Sequence, residues 1–309
     1  MRISTSWAQQ TAVNSMLDQQ SRLNQTQLQM STGKKMLTPS DDPAAAARSI
    51  DLNQGIKQTE QYQSNINAAR QRLTLEDGVL QNATDILQRI NELGVQGLNA
   101  TNSQSDRTAI ATEMEGLNQQ LLGYANTKNA NGEYLFSGFK SATQPFSKNA
   151  TGGGYTYAGD LNQRAIQIGE TRQIADGDYG TNVFGTPTPT TIPATVPAPG
   201  SIANIFEAID QFATDLRANT PNPASLDDIS KSLDTMLTVQ ASVGTRLNAL
   251  DSQEGFNTDF VLNMKTVLSA TEDLDYAEAI SRFNLQTVSL QAAQQAFAQV
   301  KKLSLFNYL

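Results

Sequence analysis

Near each end of this 309-residue chain, large apolar residues recur every seven positions on a background of Gln, Asn, Ser and Thr. Met16, Leu23 and Met30 set the N-terminal seam, with Val13, Leu17 and Leu28 beside them. Tyr276, Phe283, Leu290 and Phe297 set the C-terminal one, and Val300, Leu303 and Leu305 carry it on. A seven-residue repeat keeps one narrow stripe on one side of an α-helix, and so narrow a stripe is buried only against a second helix of the same kind. Two terminal helices that each need a partner most simply take each other.

The segments just inside the ends are also helical. No Gly or Pro falls between Thr5 and Ser31. Gly33 and the run Thr38-Pro39-Ser40-Asp41-Asp42-Pro43 then break the pattern. Asp42 suits an N-cap and Pro43 the first helical position, so a second helix is expected to begin there. Its seam, Ile66, Ala69, Leu73, Leu80, Ala83, Leu87 and Ile90, is interrupted at Glu76 and ends near Gly94 and Gly97. A third helix, capped by Ser105 or Asp106, is expected through Ile110, Met114, Leu117 and Leu121. Helical periodicity returns from Ile202 to Arg217. It resumes in Leu226, Ile229, Leu233, Met236, Val243, Leu247 and Leu250, and runs on toward Leu268. The last helix is expected near Thr271, with Glu272, Asp273 and Asp275 opposing the positive end of its dipole.

The middle is different in character. Tyr134-Leu135-Phe136 reads as a short strand, as do the alternating Tyr155-Thr156-Tyr157 and Ile166-Gln167-Ile168, with turn signals at Gly152–Gly154 and Asp176-Gly177. A Pro/Thr segment from Thr186 to Pro199 follows, which if extended covers about 40 Å. The predicted fold class is mainly α: a long-helix bundle with paired terminal coiled-coil helices and an inserted small β-rich domain. Three divisions are expected: 1–42 with 271–309 as a terminal coiled-coil domain, 43–137 with 201–270 as a helical bundle, and 138–200 as the β-rich insert.

Composition narrows the function. Histidine and cysteine are both absent, which removes imidazole and thiolate chemistry and the common catalytic triads. No catalytic, cofactor-binding or metal-binding residues are expected, and the acidic pairs Asp41-Asp42 and Glu272-Asp273 are read as helix-end features. A carboxylate-based enzyme in the insert would need a clustered acidic pair that the insert lacks. The net charge of −8 argues against nucleic acid. No run of about 18 apolar residues suggests membrane insertion. Polar residues from Ser4 to Asn14 interrupt any secretory leader, so export is expected without a cleaved signal peptide. Ile3–Leu17 and Phe283–Val300 carry no charge at all. Such faces can be packed against copies of themselves without desolvating ions, and an intracellular adaptor coil would have little use for them.

Several stretches resemble the flagellin-like family of bacterial flagella. They are Ser31 to Ala47 (STGKKMLTPSDDPAAAA), Gln88 to Gln96 with Asn102 to Asp106, Val243 to Asn248 and Glu272 to Ala277. Pro39 and Pro43, with the ending Leu303 to Leu309, are more similar to the hook-associated branch than to the filament protein. The resemblance implies an extracellular structural subunit exported by the flagellar type III system, placed between the hook and the flagellin filament. The alternative is a divergent flagellin that forms the filament itself. Implied partners are copies of the same chain, hook-associated protein 1, flagellin and a flagellar export chaperone. The implied subunit interface is the terminal coil, at Val13, Met16, Leu17, Leu23, Met30, Tyr276, Phe283, Leu290, Phe297 and Val300. The linking turn is Pro39, Asp41, Asp42 and Pro43. Gln88, Arg89 and Leu93 lie in a segment similar to the flagellin surface seen by an innate immune receptor, although bundle packing and subunit contact is the plainer reading.

Overall fold

The computed structural model describes residues 2–149, 154–188 and 198–302. Among them are seven helices: α1 (Arg2–Thr32), α2 (Pro43–Gly97), α3 (Gln104–Ala125), α4 (Gly180–Phe184), α5 (Ile205–Arg217), α6 (Pro223–Glu272) and α7 (Tyr276–Lys302). Four short strands lie between α3 and α4: β1 (Phe146–Lys148), β2 (Tyr155–Tyr157), β3 (Ala165–Gln167) and β4 (Gln173–Ala175). The architecture is the mainly helical one expected, with small strands confined to the middle.

The chain forms two compact units. One gathers residues 1–58 and 259–309, the other residues 59–258. In the first, α1 packs along α7. In the second, one core joins Leu73, Leu80 and Leu87 of α2, Met114 and Leu121 of α3, Phe212 of α5, and Met236, Val243 and Leu250 of α6. The strands belong to the same core. Phe146 of β1 lies 5.2 Å from Phe206 of α5 and 5.7 Å from Phe184 of α4, ring centre to ring centre, in edge-to-face arrangements that suit aromatic quadrupoles.

β1 pairs antiparallel with β2, and β3 with β4, as two separate two-stranded ladders. A lone hairpin is marginal in water, so the buried Phe146, Tyr155 and Ile168 anchor these ladders to the helices.

Several local expectations are corrected. Tyr134–Phe136 is not a strand: its one ladder pairing is an isolated bridge between Tyr134 and Lys128, and both Leu135 and Phe136 are buried, which breaks the strand's alternation. The β3–β4 turn is closed between Gly169 and Arg172, and Asp176-Gly177 lies beyond it. Helix α3 is capped by Ser103, not by Ser105 or Asp106. Asp106 is the reciprocal member of a capping box, its carboxylate accepting from the Ser103 N–H at 3.0 Å.

Gly94 lies within α2 rather than ending it. A Cβ there would sit 2.7 Å from Leu226 Cδ1 and 2.8 Å from Phe212 Cε1, so the missing side chain lets α5 and α6 approach α2. Gly152–Gly153 and most of the Pro/Thr segment fall outside the described residues.

Candidate assembly site in the terminal coil and its turns

α1 and α7 bring the two sequence seams together. Val13, Met16, Leu23 and Met30 of α1 are half-buried, as are Phe283, Leu290 and Phe297 of α7. Leu17 and Tyr276 lie at the margin, 58% and 51% exposed. Val300 belongs to α7, but its side chain is outside the described set. Beyond the seam, Trp7, Leu28, Ile280, Leu285 and Val288 face outward, Leu285 with 69% of its surface exposed. Gln19 and Gln286 each bury a side-chain oxygen that accepts no hydrogen bond among the described residues. The coil therefore leaves apolar surface uncovered and polar atoms unsatisfied, two properties that a finished fold avoids.

The expected start of the last helix is also corrected. α6 runs to Glu272, and α7 begins at Tyr276 after a short turn. Asp275, not Glu272, caps α7, accepting from the Ala277 N–H at 2.9 Å and the Glu278 N–H at 3.3 Å. Glu272 thus stands at the negative end of a helix dipole, where a carboxylate is unfavourable. Two partners offset this. Lys34 Nζ donates to its Oε2 at 2.8 Å, and Ser49 Oγ bonds its Oε1. The same hydrogen bond from Lys34 raises the lysine's pKa above its ordinary value.

Backbone pairing fastens the two connecting turns to each other. Lys34 and Asp273 form an antiparallel bridge, the Lys35 N–H donates to Glu272 O at 2.6 Å, and the Leu274 N–H donates to Gly33 O at 3.0 Å. Gly33 adopts φ +69°, and a Cβ there would lie 3.0 Å from Tyr276 Oη. Within the first linker, Asp41 Oδ2 accepts from the Leu37 and Thr38 N–H groups at 3.0 Å each. Those backbone bonds, Thr38 first, hold its pKa below the usual carboxylate value. Asp42 caps α2 through the Ala45 N–H at 3.0 Å, with Pro43 as the first helical residue and Pro39 exposed in the turn before it. This arrangement positions helices. It offers no nucleophile beside a base, and no group of three metal-ligating side chains occurs among the described residues.

Residues 3–141 match the family model described as the bacterial flagellin N-terminal helical region, and residues 226–309 match that of the C-terminal helical region. Flagellar hook-associated protein 3 of Escherichia coli K12 is 33% identical over 319 aligned residues, covering 99% of each chain. This chain belongs to the hook-associated protein 3 group of the flagellin-like family. The Salmonella typhimurium hook-associated protein 3 is 31% identical, again over 99% of both chains. Among solved structures, the flagellar junction protein FlgL of Legionella pneumophila is 28% identical, with a TM-score of 0.59 over 74% of this chain and 100% of its own. The relatives are structural parts of the flagellum, so this hook-associated protein 3 member is a structural flagellar component and not an enzyme.

In the second unit, the stretch that holds Gln88, Arg89 and Leu93 divides. Gln88 and Arg89 are exposed, whereas Leu93 is buried in the core. Arg89 is occupied by Glu113 at 2.8 Å and Glu92 at 3.3 Å.

Proposed function

We propose that this protein forms the short segment joining the hook, through hook-associated protein 1, to the flagellin filament, and that the terminal coil is where its subunits lock together. The observation that carries the reading is the outer face of that coil: Trp7, Leu285 and Val288 are exposed within the two stretches, Ile3–Leu17 and Phe283–Val300, that carry no charge. Burying such residues against neighbouring copies is worth roughly 1.5–3 kcal/mol for each large side chain, with no ion to desolvate. In this reading residues 1–42 with 271–309 are the polymerisation domain, residues 43–137 with 201–270 a helical bundle, and residues 138–200 a β-rich insert.

Export through the flagellar type III system, with a chaperone acting at the C-terminal region, belongs to the same reading. A full-length match to hook-associated protein 3 favours the junction over the alternative, a divergent flagellin that builds the filament itself.

Immunogold labelling of isolated flagella tests this directly. Label confined to one point where hook meets filament supports the junction; label along the whole filament supports the alternative and rejects it.

A further inference from the structure

In the second unit, a buried carboxyl is left over when its neighbours are paired. Glu76 of α2 has no solvent exposure. The backbone N–H of Asp178, in the segment after β4, donates to Glu76 Oε1 at 3.1 Å. Glu76 Oε2 is buried and accepts no hydrogen bond among the described residues. Six charged side chains surround this place: Arg72 one turn earlier on α2, Glu133 from the loop after α3, Arg164 just before β3, Asp176 and Asp178 just after β4, and Arg246 from α6. The next acid on α2, Asp77, is engaged by Gln240 of α6 at 3.4 Å.

Each arginine already has a carboxylate. Arg72 meets Glu133 at 3.4 Å, Arg164 meets Asp176, and Arg246 meets Asp178. Three arginines thus face four carboxyls, and Glu76 is the one without an ion-pair partner among the described residues. Ionised there, it would hold an uncompensated charge and an unsolvated oxygen. Protonated, it is neutral, and the surrounding charges balance.

We propose that Glu76 carries a proton in the native protein and acts as a pH-operated latch fastening the β-rich module to the helical core. The latch point is close-fitting: a Cβ on Gly177 would lie 3.2 Å from Arg72 Nε and 3.6 Å from Glu76 Oε2, so the segment 176–178 rests directly on these two side chains. Burial first, and then the Asp178 carboxylate, push the Glu76 pKa up to about 8, against a smaller pull from Arg246. When the proton leaves, a fourth negative charge stands beside Asp178 among three arginines that each already hold a carboxylate, with Arg72 Nε, buried and without a hydrogen-bond partner among the described residues, as the one donor left near it. The segment lifts, while the apolar core beneath keeps the helices packed. The outer module is firm in neutral or acidic surroundings and loosened in alkaline ones.

Hydrogen exchange on the full-length soluble chain at about pH 6.5 and about pH 9.5, corrected for the base-catalysed intrinsic rate, provides the test. In the wild type, protection of the amides from Gln173 to Gly180 is expected to fall by about tenfold or more, the effect of roughly one unit of pKa displacement. In Glu76→Gln, neutral at both values, protection should not change with pH. A wild type whose protection is independent of pH overturns the latch, as does an equal fall in Glu76→Gln, which would assign the effect to another group. Should Glu76→Gln fail to fold, a carbon-13 titration of the wild-type Glu76 carboxyl decides the matter. A midpoint above about 7 upholds the proposal and one near the ordinary glutamate value of about 4.3 ends it.

Discussion

The hydroxyl of Tyr276, the first residue of α7, donates to the backbone carbonyl of Met30 in α1 across 246 positions of sequence, at 3.2 Å. Both residues were singled out by the same seven-residue spacing, and their meeting fixes where the two terminal helices come into register. Gly33 lies directly under the tyrosine hydroxyl. The turn after α1 and the turn before α7 are therefore one structural feature.

That feature is sensitive to a single methyl group. Gly33→Ala places a Cβ on a residue at φ +69° and within 3.0 Å of Tyr276 Oη. Strain at the left-handed position alone is expected to cost about 1–2 kcal/mol. Tyr276→Phe removes one hydrogen bond at a half-exposed site and should cost only about 0.5–1.5 kcal/mol. Urea titration of both variants should rank them in that order.

Leu285→Lys separates folding from assembly. The side chain is 69% exposed in the single molecule, so its replacement should change monomer stability by no more than about 0.5 kcal/mol. In the flagellum the lysine would be buried against a neighbouring copy, and incorporation should fail. Phe297→Glu, at a half-buried seam position, should harm assembly more than it harms the monomer. Unfolding curves beside flagellar recovery in a complemented deletion strain check both; equal losses for Phe297→Glu would make the seam a purely internal contact.

Stability should depend on pH through Glu76. Its pKa is raised by burial, so the folded chain holds a proton that the unfolded chain releases. Stability from this group is complete below the unfolded value of about 4.3 and declines as pH rises toward about 8. Above that the carboxyl is ionised in both states, and its slope vanishes. Thermal unfolding midpoints of wild type should fall across that window by more than those of Glu76→Gln. Parallel profiles would show that Glu76 titrates normally.

Glu272→Ala removes the acceptor for both Lys34 and Ser49 while relieving a carboxylate at a helix C-terminus. The two effects oppose each other, so monomer stability should change by less than about 1 kcal/mol. Pairing of the turns at Gly33–Lys35 should loosen. Amide exchange at Lys35 and Leu274, whose N–H groups bridge the turns, reports this more sensitively than a melting curve.

The long helices were readable because their information is local. The seven-residue seams of α1 and α7, and the Asp42-Pro43 start of α2, need only neighbours a few positions away to act. The capping box of α3 is local too: Ser103 with Asp106 has the spacing of such a box, which Ser105 lacks. The boundary between α6 and α7 is not. The acidic run from Glu272 to Asp275 is compatible with a helix beginning at either end of it, and pairing with residues 33–35 decides the matter. Glu76 looked like a flaw in an apolar seam because its partner, Asp178, is 102 positions away. Nor could spacing show that Leu17 and Tyr276 sit at the margin of the coil, because α1 and α7 set their own register through Met30 and Gly33.

Hydrogen exchange over Arg2–Thr32 and Tyr276–Lys302, compared between dilute soluble protein and isolated flagella, bears most directly on the claim that neighbouring copies complete the terminal coil. Weak protection in the single molecule and strong protection in the flagellum is the expected result. Equal, strong protection of both helices in dilute solution would contradict it, because the coil would then be complete without neighbours.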